Sequence, residues 1–205
     1  PEVVLNVGHF QSAVVGSGWD EGRLAIASRV LQRASERDTA PVAVDAGALE
    51  HVLEWRQNYP AVPLILTPHL GEASRLWRAL HPKGPKLPEG PQLAAHLAAA
   101  TESIVVLKTS TTWVASPMGL HSQFVSNCGW AAAAGSGDVL AGVIGGLVAA
   151  NFRPDARAES LVDAVSGAVW IHGTAAQRAA GTGQPIRASQ IAEQVPTVIG
   201  AVLAP

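Results

Sequence analysis

The sequence predicts an α/β fold of three layers, in which helices cover both faces of a mostly parallel central sheet. Short apolar strands alternate with helical segments along the chain, which is typical of β–α–β units. The length of 205 residues, of which 48% are apolar, suits a single domain with a sizeable core, and we see no internal repeat. Polar residues follow several of the strands, and right-handed crossovers would gather them at one edge of the sheet.

The individual elements are predicted from apolar spacing and from the residues that interrupt it. Helical spacing marks the helices, Pro68 favours an extended Thr67, and the Pro-, Lys- and Gly-rich stretch 82–91 forms a loop. Strands are predicted at 12–15, 41–45, 63–66 and 103–108, with a hairpin made of 113–115 and 121–125. Helices are predicted over 24–34, 49–55, 73–76, 92–100, 139–150, 161–175 and from 188 to 199 or 203.

Composition excludes several classes of function. The net charge of −2 offers no basic surface for nucleic acid or for an anionic membrane. The longest uncharged run, 139–150, is too short for a bilayer, which takes about 20 residues. The single cysteine, Cys128, excludes an internal disulfide and suits a reducing compartment, so we expect a cytoplasmic protein without a signal peptide. Because the chain starts at Pro1 rather than Met, we expect it to be incomplete at its N-terminus.

The turn Gly135-Ser136-Gly137-Asp138 is the principal candidate site. It opens an apolar helix, and the N–H groups and dipole at a helix N-terminus suit a phosphate. A carboxylate there repels a phosphate that merely binds, but it is well placed to take a proton from a hydroxyl that attacks phosphate. Asp138 is therefore interpreted either as a catalytic base or as a simple helix cap. The P-loop pattern G-x-x-x-x-G-K-[ST] is absent.

Further polar residues follow the first three strands. The first strand ends in Gly16-Ser17-Gly18, which is either a ligand loop or a tight turn. Asp45 follows the second strand, and it either faces the ligand crevice or caps the helix that comes next. His69 follows the third strand, where a lone histidine is either a site residue or a solvated loop residue.

The fourth strand ends in Lys108, which the hydroxyl-rich run Thr109-Ser110-Thr111-Thr112 follows. These groups are able to hold phosphate or ribose, and the alternative is an exposed polar turn. His172 lies on the apolar face of its helix and is interpreted as a packed or hydrogen-bonded residue at the edge of the core. The histidines lack metal-binding spacing such as H-E-x-x-H.

Together these motifs resemble the ADP/ATP-dependent NAD(P)H-hydrate dehydratase family, within the ribokinase-like superfamily. The resemblance covers nearly the whole chain in the right order, and T-P-H-x-G-E combined with G-[ST]-G-D-V-L is its specific part. The matching motifs are A-V-V-G-S-G (13–18), V-A-V-D-A-G-A-L (42–49), L-T-P-H-L-G-E (66–72), V-V-L-K-T-S-T-T (105–112), G-S-G-D-V-L-A-G (135–142) and, more softly, A-V-W-I-H-G (168–173).

The resemblance implies an enzyme, a hydro-lyase that repairs nicotinamide cofactors hydrated on the reduced ring. Such enzymes couple loss of water from hydrated NADH or NADPH to hydrolysis of ADP in bacteria or ATP in eukaryotes, and we expect ADP here. Mg²⁺ on the phosphates and a homo-oligomeric assembly are expected as well. The implied roles are a base at Asp138, a hydrate pocket with Gly18, His69 and Asp138, an anion hole of Gly135, Ser136 and Gly137, and a nucleotide site of Lys108, Thr109, Ser110, Thr111, Thr112 and Gly137.

Several positions depart from the family pattern. The usual G-P-G-x-G is G-S-G-W-D here, Thr109 stands where a glycine usually follows Lys108, and the usual M-A-T-G-G-[ST]-G-D is A-A-A-A-G-S-G-D. Members of the family normally carry a further strand–helix–strand unit before the point that matches Pro1, with part of the hydrate pocket. The resemblance therefore implies a ribokinase-like domain, over residues 1–205, that lacks this N-terminal unit.

Two other functions are compatible with the same residues. The first is a small-molecule kinase of the same fold, acting on a thiazole or pyrimidine alcohol, which would share the base and the anion hole. The second is a catalytically weak nucleotide-binding protein, which the altered loops favour. The choice between ADP and ATP, the preferred hydrate, the oligomeric state and any attached epimerase domain stay open.

Overall fold

The structure is a computed structural model that describes residues 10–17, 23–36, 40–126, 128–151 and 158–203. Within these ranges six strands form one sheet in the order β1-β2-β3-β4-β5-β6. The first four strands are parallel, and the last two form an antiparallel hairpin at the sheet edge. Their bounds are β1 (Ala13–Val15), β2 (Val42–Val44), β3 (Leu64–Leu66), β4 (Ile104–Leu107), β5 (Thr111–Ser116) and β6 (Gly119–Val125).

Every predicted helix is present, most of them somewhat longer than predicted, and two differ in kind or in where they start. The helix predicted at 49–55 consists of a 3₁₀ helix, Ala46–His51, that continues into an α-helix, and the helix predicted from Val139 begins at Ser136. The glycine-rich turn is therefore the first turn of its helix. The helices are α1 (Leu24–Glu36), α2 (Val52–Asn58), α3 (Leu70–Leu80), α4 (Gly90–Thr101), α5 (Ser136–Asn151), α6 (Ala158–Ala180) and α7 (Ala188–Leu203).

Alternate residues of the strands are buried on opposite faces of the sheet, as the period of two requires. One face, with Val44, Leu66 and Leu107, packs against α1 to α4. The other face, with Ile65 and Val106, packs against α5 and α6. This is the predicted three-layer arrangement, and it directs the carboxyl ends of β1 to β4 toward the same edge.

A close contact fixes α5 against the sheet. A Cβ on Gly145 would lie 2.6 Å from Cγ2 of Val14, so that α5 approaches β1 more closely than a side chain allows. The hydroxyl of Ser12 also donates to the carbonyl oxygen of Gly145, at 2.7 Å. These contacts hold α5 so that its N-terminus lies at the carboxyl ends of the parallel strands.

None of the helices in the described ranges has the length and apolar content needed to cross a bilayer.

Candidate active site

Asp45 lies at the centre of a buried polar group formed by three strand ends. Its Oδ1 accepts a hydrogen bond from Oγ1 of Thr67, at 2.6 Å, and lies 2.7 Å from Nζ of Lys108. Asp45 is only 3% exposed, and although it precedes the 3₁₀ helix its side chain makes no capping hydrogen bond. The structure therefore does not support the interpretation of Asp45 as a cap, and it places the side chain against Thr67 and Lys108 at the strand ends.

The first turn of α5 lies directly against this charge pair. A Cβ added to Gly137 would lie 3.2 Å from Nζ of Lys108 and 3.9 Å from Oδ2 of Asp45. Glycine at this position therefore lets the helix backbone approach the ammonium group. The ammonium group of Lys108 and the positive end of the α5 dipole lie close together, and both favour an anion at this place.

The turn before α5 has the geometry that the glycine pattern predicts. Gly135 has φ +83°, a conformation that residues with a side chain rarely adopt. The N–H of Ser136 donates to the carbonyl oxygen of Ala133 at 3.0 Å, and the N–H of Val139 donates to that of Gly135 at 3.2 Å. An anion at this turn would thus meet the amides of Gly137 and Asp138 without displacing either of these two bonds.

Asp138 faces the loop that follows β1. Its Oδ1 accepts a hydrogen bond from Oγ of Ser17, a residue 121 positions earlier in the chain. The Asp138 side chain is exposed to solvent. It follows Gly137, which borders the cavity described below, but Asp138 itself does not border that cavity. Gly18, which was predicted to line the hydrate pocket, lies outside the described residues.

His69 has a structural role that the sequence analysis missed. Its Nδ1 accepts hydrogen bonds from the N–H groups of Gly71, at 2.9 Å, and Glu72, at 3.2 Å. The Glu72 carboxylate accepts in turn from the backbone N–H of His69, at 2.8 Å, which completes a capping box at the start of α3. The His69 side chain also borders the cavity described next, so its predicted role in the hydrate pocket stays a prediction.

A cavity of about 620 Å³ extends from Lys108 along the hairpin toward α6. Most of the predicted nucleotide residues border it, but Thr111 does not, and its carbonyl oxygen instead accepts a hydrogen bond from Oγ1 of Thr109. Its polar lining residues include His69, Lys108, Thr109, Ser110, Thr112, Ser126, Ser136 and His172. A second cavity of about 670 Å³, between α5 and α7, has apolar walls and contains none of the predicted site residues.

His172 reaches the start of α5 from α6. Its Nε2 lies 3.1 Å from the carbonyl oxygen of Ser136 and 3.2 Å from Oγ of the same residue. The pKa of His172 is lowered to about 4, mainly by burial; the hydrogen bond to the Ser136 backbone opposes this shift, and the positive charge of Lys108 adds to it. The imidazole is therefore neutral near pH 7.

Acidification is expected to destabilise the fold through His172. Its pKa is about 4 in the folded chain and near the ordinary 6.5 in the unfolded chain, so the unfolded state takes up the proton first. The free energy of unfolding is unaffected by this titration above pH 6.5. It decreases as the pH falls toward 4, by at most about 3 kcal/mol. Urea unfolding of the wild type and of His172→Gln at several pH values measures the effect. Stability curves that stay parallel between the two proteins would contradict it.

The sequence analysis did not include three residues of this edge among the predicted site residues, namely Ser17, Thr67 and His172. Each forms a hydrogen bond with a residue far away in the sequence, respectively Asp138, Asp45 and Ser136. The one available signal was position, because Ser17 and Thr67 directly follow strands, in the motifs 13–18 and 66–72.

Fold and site together define an α/β protein that presents a glycine-rich helix N-terminus, a partly buried lysine–aspartate pair and an exposed carboxylate at the ends of parallel strands. A sequence model described as NAD(P)H-hydrate dehydratase matches residues 3–197. The chain belongs to the NAD(P)H-hydrate dehydratase family.

Similar proteins agree with that assignment. An ADP-dependent (S)-NAD(P)H-hydrate dehydratase of Neisseria meningitidis is 34% identical, over 94% of this chain and 66% of its own length. A bifunctional NAD(P)H-hydrate repair enzyme of Mycobacterium leprae is 36% identical, over 98% of this chain and 42% of its own length. The crystal structure of the Bacillus subtilis ADP/ATP-dependent NAD(P)H-hydrate dehydratase, co-crystallised with ATP and Mg²⁺, aligns with a TM-score of 0.71 and 26% identity over 95% of this chain and 66% of that one. The chain spans less than half the length of the curated bifunctional relatives, for example 30% of the Gloeobacter violaceus protein.

Proposed function

We propose that this chain carries the nucleotide-dependent dehydration of hydrated NADH or NADPH, with ADP as the expected phosphoryl donor. One observation carries the proposal: in a member of this family, Asp138 lies in the first turn of α5, one residue after Gly137, whose backbone lies close to the Lys108–Asp45 pair. A base beside a phosphate site is what phosphoryl transfer to an alcohol requires.

The chemistry follows from the poor leaving ability of hydroxide. The ring hydroxyl of the hydrate attacks the terminal phosphorus of ADP, a new P–O bond forms as the bond to AMP breaks, and Asp138 takes the hydroxyl proton. Electrons of the ring nitrogen then expel phosphate by breaking the C–O bond. Loss of a proton from the neighbouring ring carbon restores the double bond, so the products are NAD(P)H, AMP and inorganic phosphate.

Each remaining residue of the site has a binding role in this proposal. Lys108 and the hydroxyls of the β4–β5 connection would hold the nucleotide, and they border the 620 Å³ cavity. The turn at Gly135, Ser136 and Gly137 would stabilise the charge on the transferred phosphate. His69 and Gly18 would contact the hydrated ring.

Mg²⁺ belongs to the proposal as a companion of the nucleotide. No three His, Cys, Asp or Glu side chains of the described residues are grouped as a metal site. Mg²⁺ usually keeps several waters and is bound through few protein carboxylates together with substrate phosphates, so phosphate and water oxygens would supply most of its ligands. When bound, the ion would neutralise charge on the phosphates.

Replacing Gly137 with alanine is expected to weaken ADP binding by about tenfold or more. The new Cβ would lie 3.2 Å from Nζ of Lys108 and would displace the ammonium group from the anion site. Gly142→Ala is the matched control, because it lies in the same helix and its Cβ would meet nothing within 4 Å. Isothermal titration with ADP and with ATP measures the affinities and identifies the preferred nucleotide. Equal affinities of the two variants would contradict the proposed phosphate position.

The expected assembly and location are part of the same proposal. An exposed apolar cavity between α5 and α7, with Val202 and Leu203 at its end, is consistent with a homo-oligomer. A free cysteine is consistent with the reducing cytoplasm.

A further inference from the structure

His172 belongs to the least specific of the family motifs, and the proposed chemistry gives this residue no role. It borders the cavity, and its Nε2 contacts Ser136 twice, at the carbonyl oxygen (3.1 Å) and at Oγ (3.2 Å). Ser136 is the first residue of α5 and is only 6% exposed. The histidine thus contacts the turn that is proposed to receive phosphate.

The two contacts determine which ring nitrogen carries hydrogen. A carbonyl oxygen only accepts hydrogen bonds, so the short contact to the Ser136 carbonyl requires a hydrogen on Nε2. Since the ring is neutral, Nδ1 is then unprotonated. The opposite tautomer would place the lone pair of Nε2 against the carbonyl lone pairs at 3.1 Å, which is repulsive.

This tautomer also sets the direction of the Ser136 hydroxyl. Because Nε2 is a donor, Oγ of Ser136 meets it as an acceptor, and the hydroxyl hydrogen is free to point elsewhere. Ser136 borders the cavity beside Gly137, so the free hydrogen can turn toward an anion there. A serine whose hydroxyl donated to histidine would instead present its lone pairs to that anion and would repel it.

The packing of α6 keeps the histidine in place. A Cβ on Gly173 would overlap the ring of Phe124, with Cδ1 at 2.8 Å, so α6 fits tightly against β6 at the residue after His172. Ser166 of α6 and Ser122 of β6 are hydrogen-bonded at 2.8 Å at another point of the same interface. Because α6 is held in this way, the imidazole of His172 keeps its hydrogen bond to Ser136 without reorganisation when a ligand binds.

We infer that His172 is a positioning residue that orients the Ser136 hydroxyl as a hydrogen-bond donor to a phosphate oxygen in the cavity. The inference rests on the proposed function, because it assumes that a phosphate group occupies the turn at the start of α5. It adds a side-chain donor to the backbone amides of that turn, and hydrogen bonds to a charged oxygen are the strong ones. His172 acts through Ser136 and needs no contact with the substrate.

Ring ¹⁵N NMR of the wild-type chain tests the tautomer without any ligand. A hydrogen on Nε2 of His172 near pH 7 supports the inference, and a hydrogen on Nδ1 overturns it. This result does not depend on whether the protein dehydrates anything.

Calorimetric titration with ADP then tests the role. His172→Leu and Ser136→Ala should each weaken binding by about tenfold, since each removes the same charged hydrogen bond. The double variant should be no weaker than either single variant, because the two residues act as one unit. His172→Gln keeps an N–H donor and should stay within about threefold of the wild type. Asp163→Asn, which changes an exposed side chain of the same helix outside the cavity, should leave affinity unchanged.

Two outcomes would overturn the role of His172. One is that the losses of the single variants multiply in the double variant, and the other is that His172→Gln binds as weakly as His172→Leu. Failure of the dehydratase proposal has a different signature, in which the wild type binds ADP but restores no NADH from its hydrate. Such a result would not change the ratios of ADP affinity among the variants.

Discussion

Asp138→Asn is expected to lower kcat by at least about 100-fold and to change ADP affinity by less than about threefold. Asparagine has nearly the shape of aspartate but cannot take the proton of the attacking hydroxyl. The side chain is exposed, and its hydrogen bond is to Ser17 rather than to the core, so the fold should tolerate the change. Loss of turnover with retained nucleotide binding is what removal of a base predicts.

A matched control separates this effect from the loss of a surface charge. Asp163 is an exposed acid of α6 that contacts His121 at 3.0 Å, outside the candidate site. Asp163→Asn should leave both kcat and ADP affinity at the wild-type values. Activity retained in Asp138→Asn would remove Asp138 as the base, and an equal loss in both variants would point to a general electrostatic effect.

Gly16→Ala is expected to destabilise the fold by at least about 3 kcal/mol. Gly16 has φ +110°, which is strained for any residue with a side chain. A Cβ there would overlap the carbonyl oxygen of Asp45 and would lie 2.6 Å from Cβ of Ala48. Both neighbours are backbone or short side chain, so relief requires the ends of β1 and β2 to separate.

Gly47→Ala, only two residues after Asp45, is the control for this variant. Its added Cβ would meet nothing within 4 Å, so its effect on the free energy of unfolding should stay within about 0.5 kcal/mol. Chemical denaturation of both variants gives the comparison. A Gly16→Ala chain as stable as Gly47→Ala would show that the first loop is looser than its contacts with Asp45 and Ala48 imply.

Much of the fold was predictable because local pattern and burial agree. Apolar runs such as 63–66 and 103–108 predict strands, and in the folded chain these strands are buried on both faces of the sheet. The start of α5 was misplaced by three residues because Gly137 is a poor helix former and Ser136 is typical of a cap.

The site was predictable in part, for a related reason. Strand order brings Asp45 and Lys108 together, as the common edge of parallel strands predicts. Which partner each side chain chooses depends on contacts between distant segments, and these leave no mark in a single sequence. Thus Asp45 stayed an open alternative and the cap formed by His69 was missed. Thr111 does not border the cavity, and its role at the nucleotide stays a prediction.

The measurement that tests the central proposal most directly follows phosphate release and the absorbance of reduced nicotinamide together. It uses chemically hydrated NADH, Mg²⁺ and either ADP or ATP, with Asp138→Asn as the inactive control. We expect NADH recovery and phosphate release in equal amounts from the wild type, and neither from the variant. A stable phosphorylated product without NADH recovery would contradict the dehydratase and would identify a kinase.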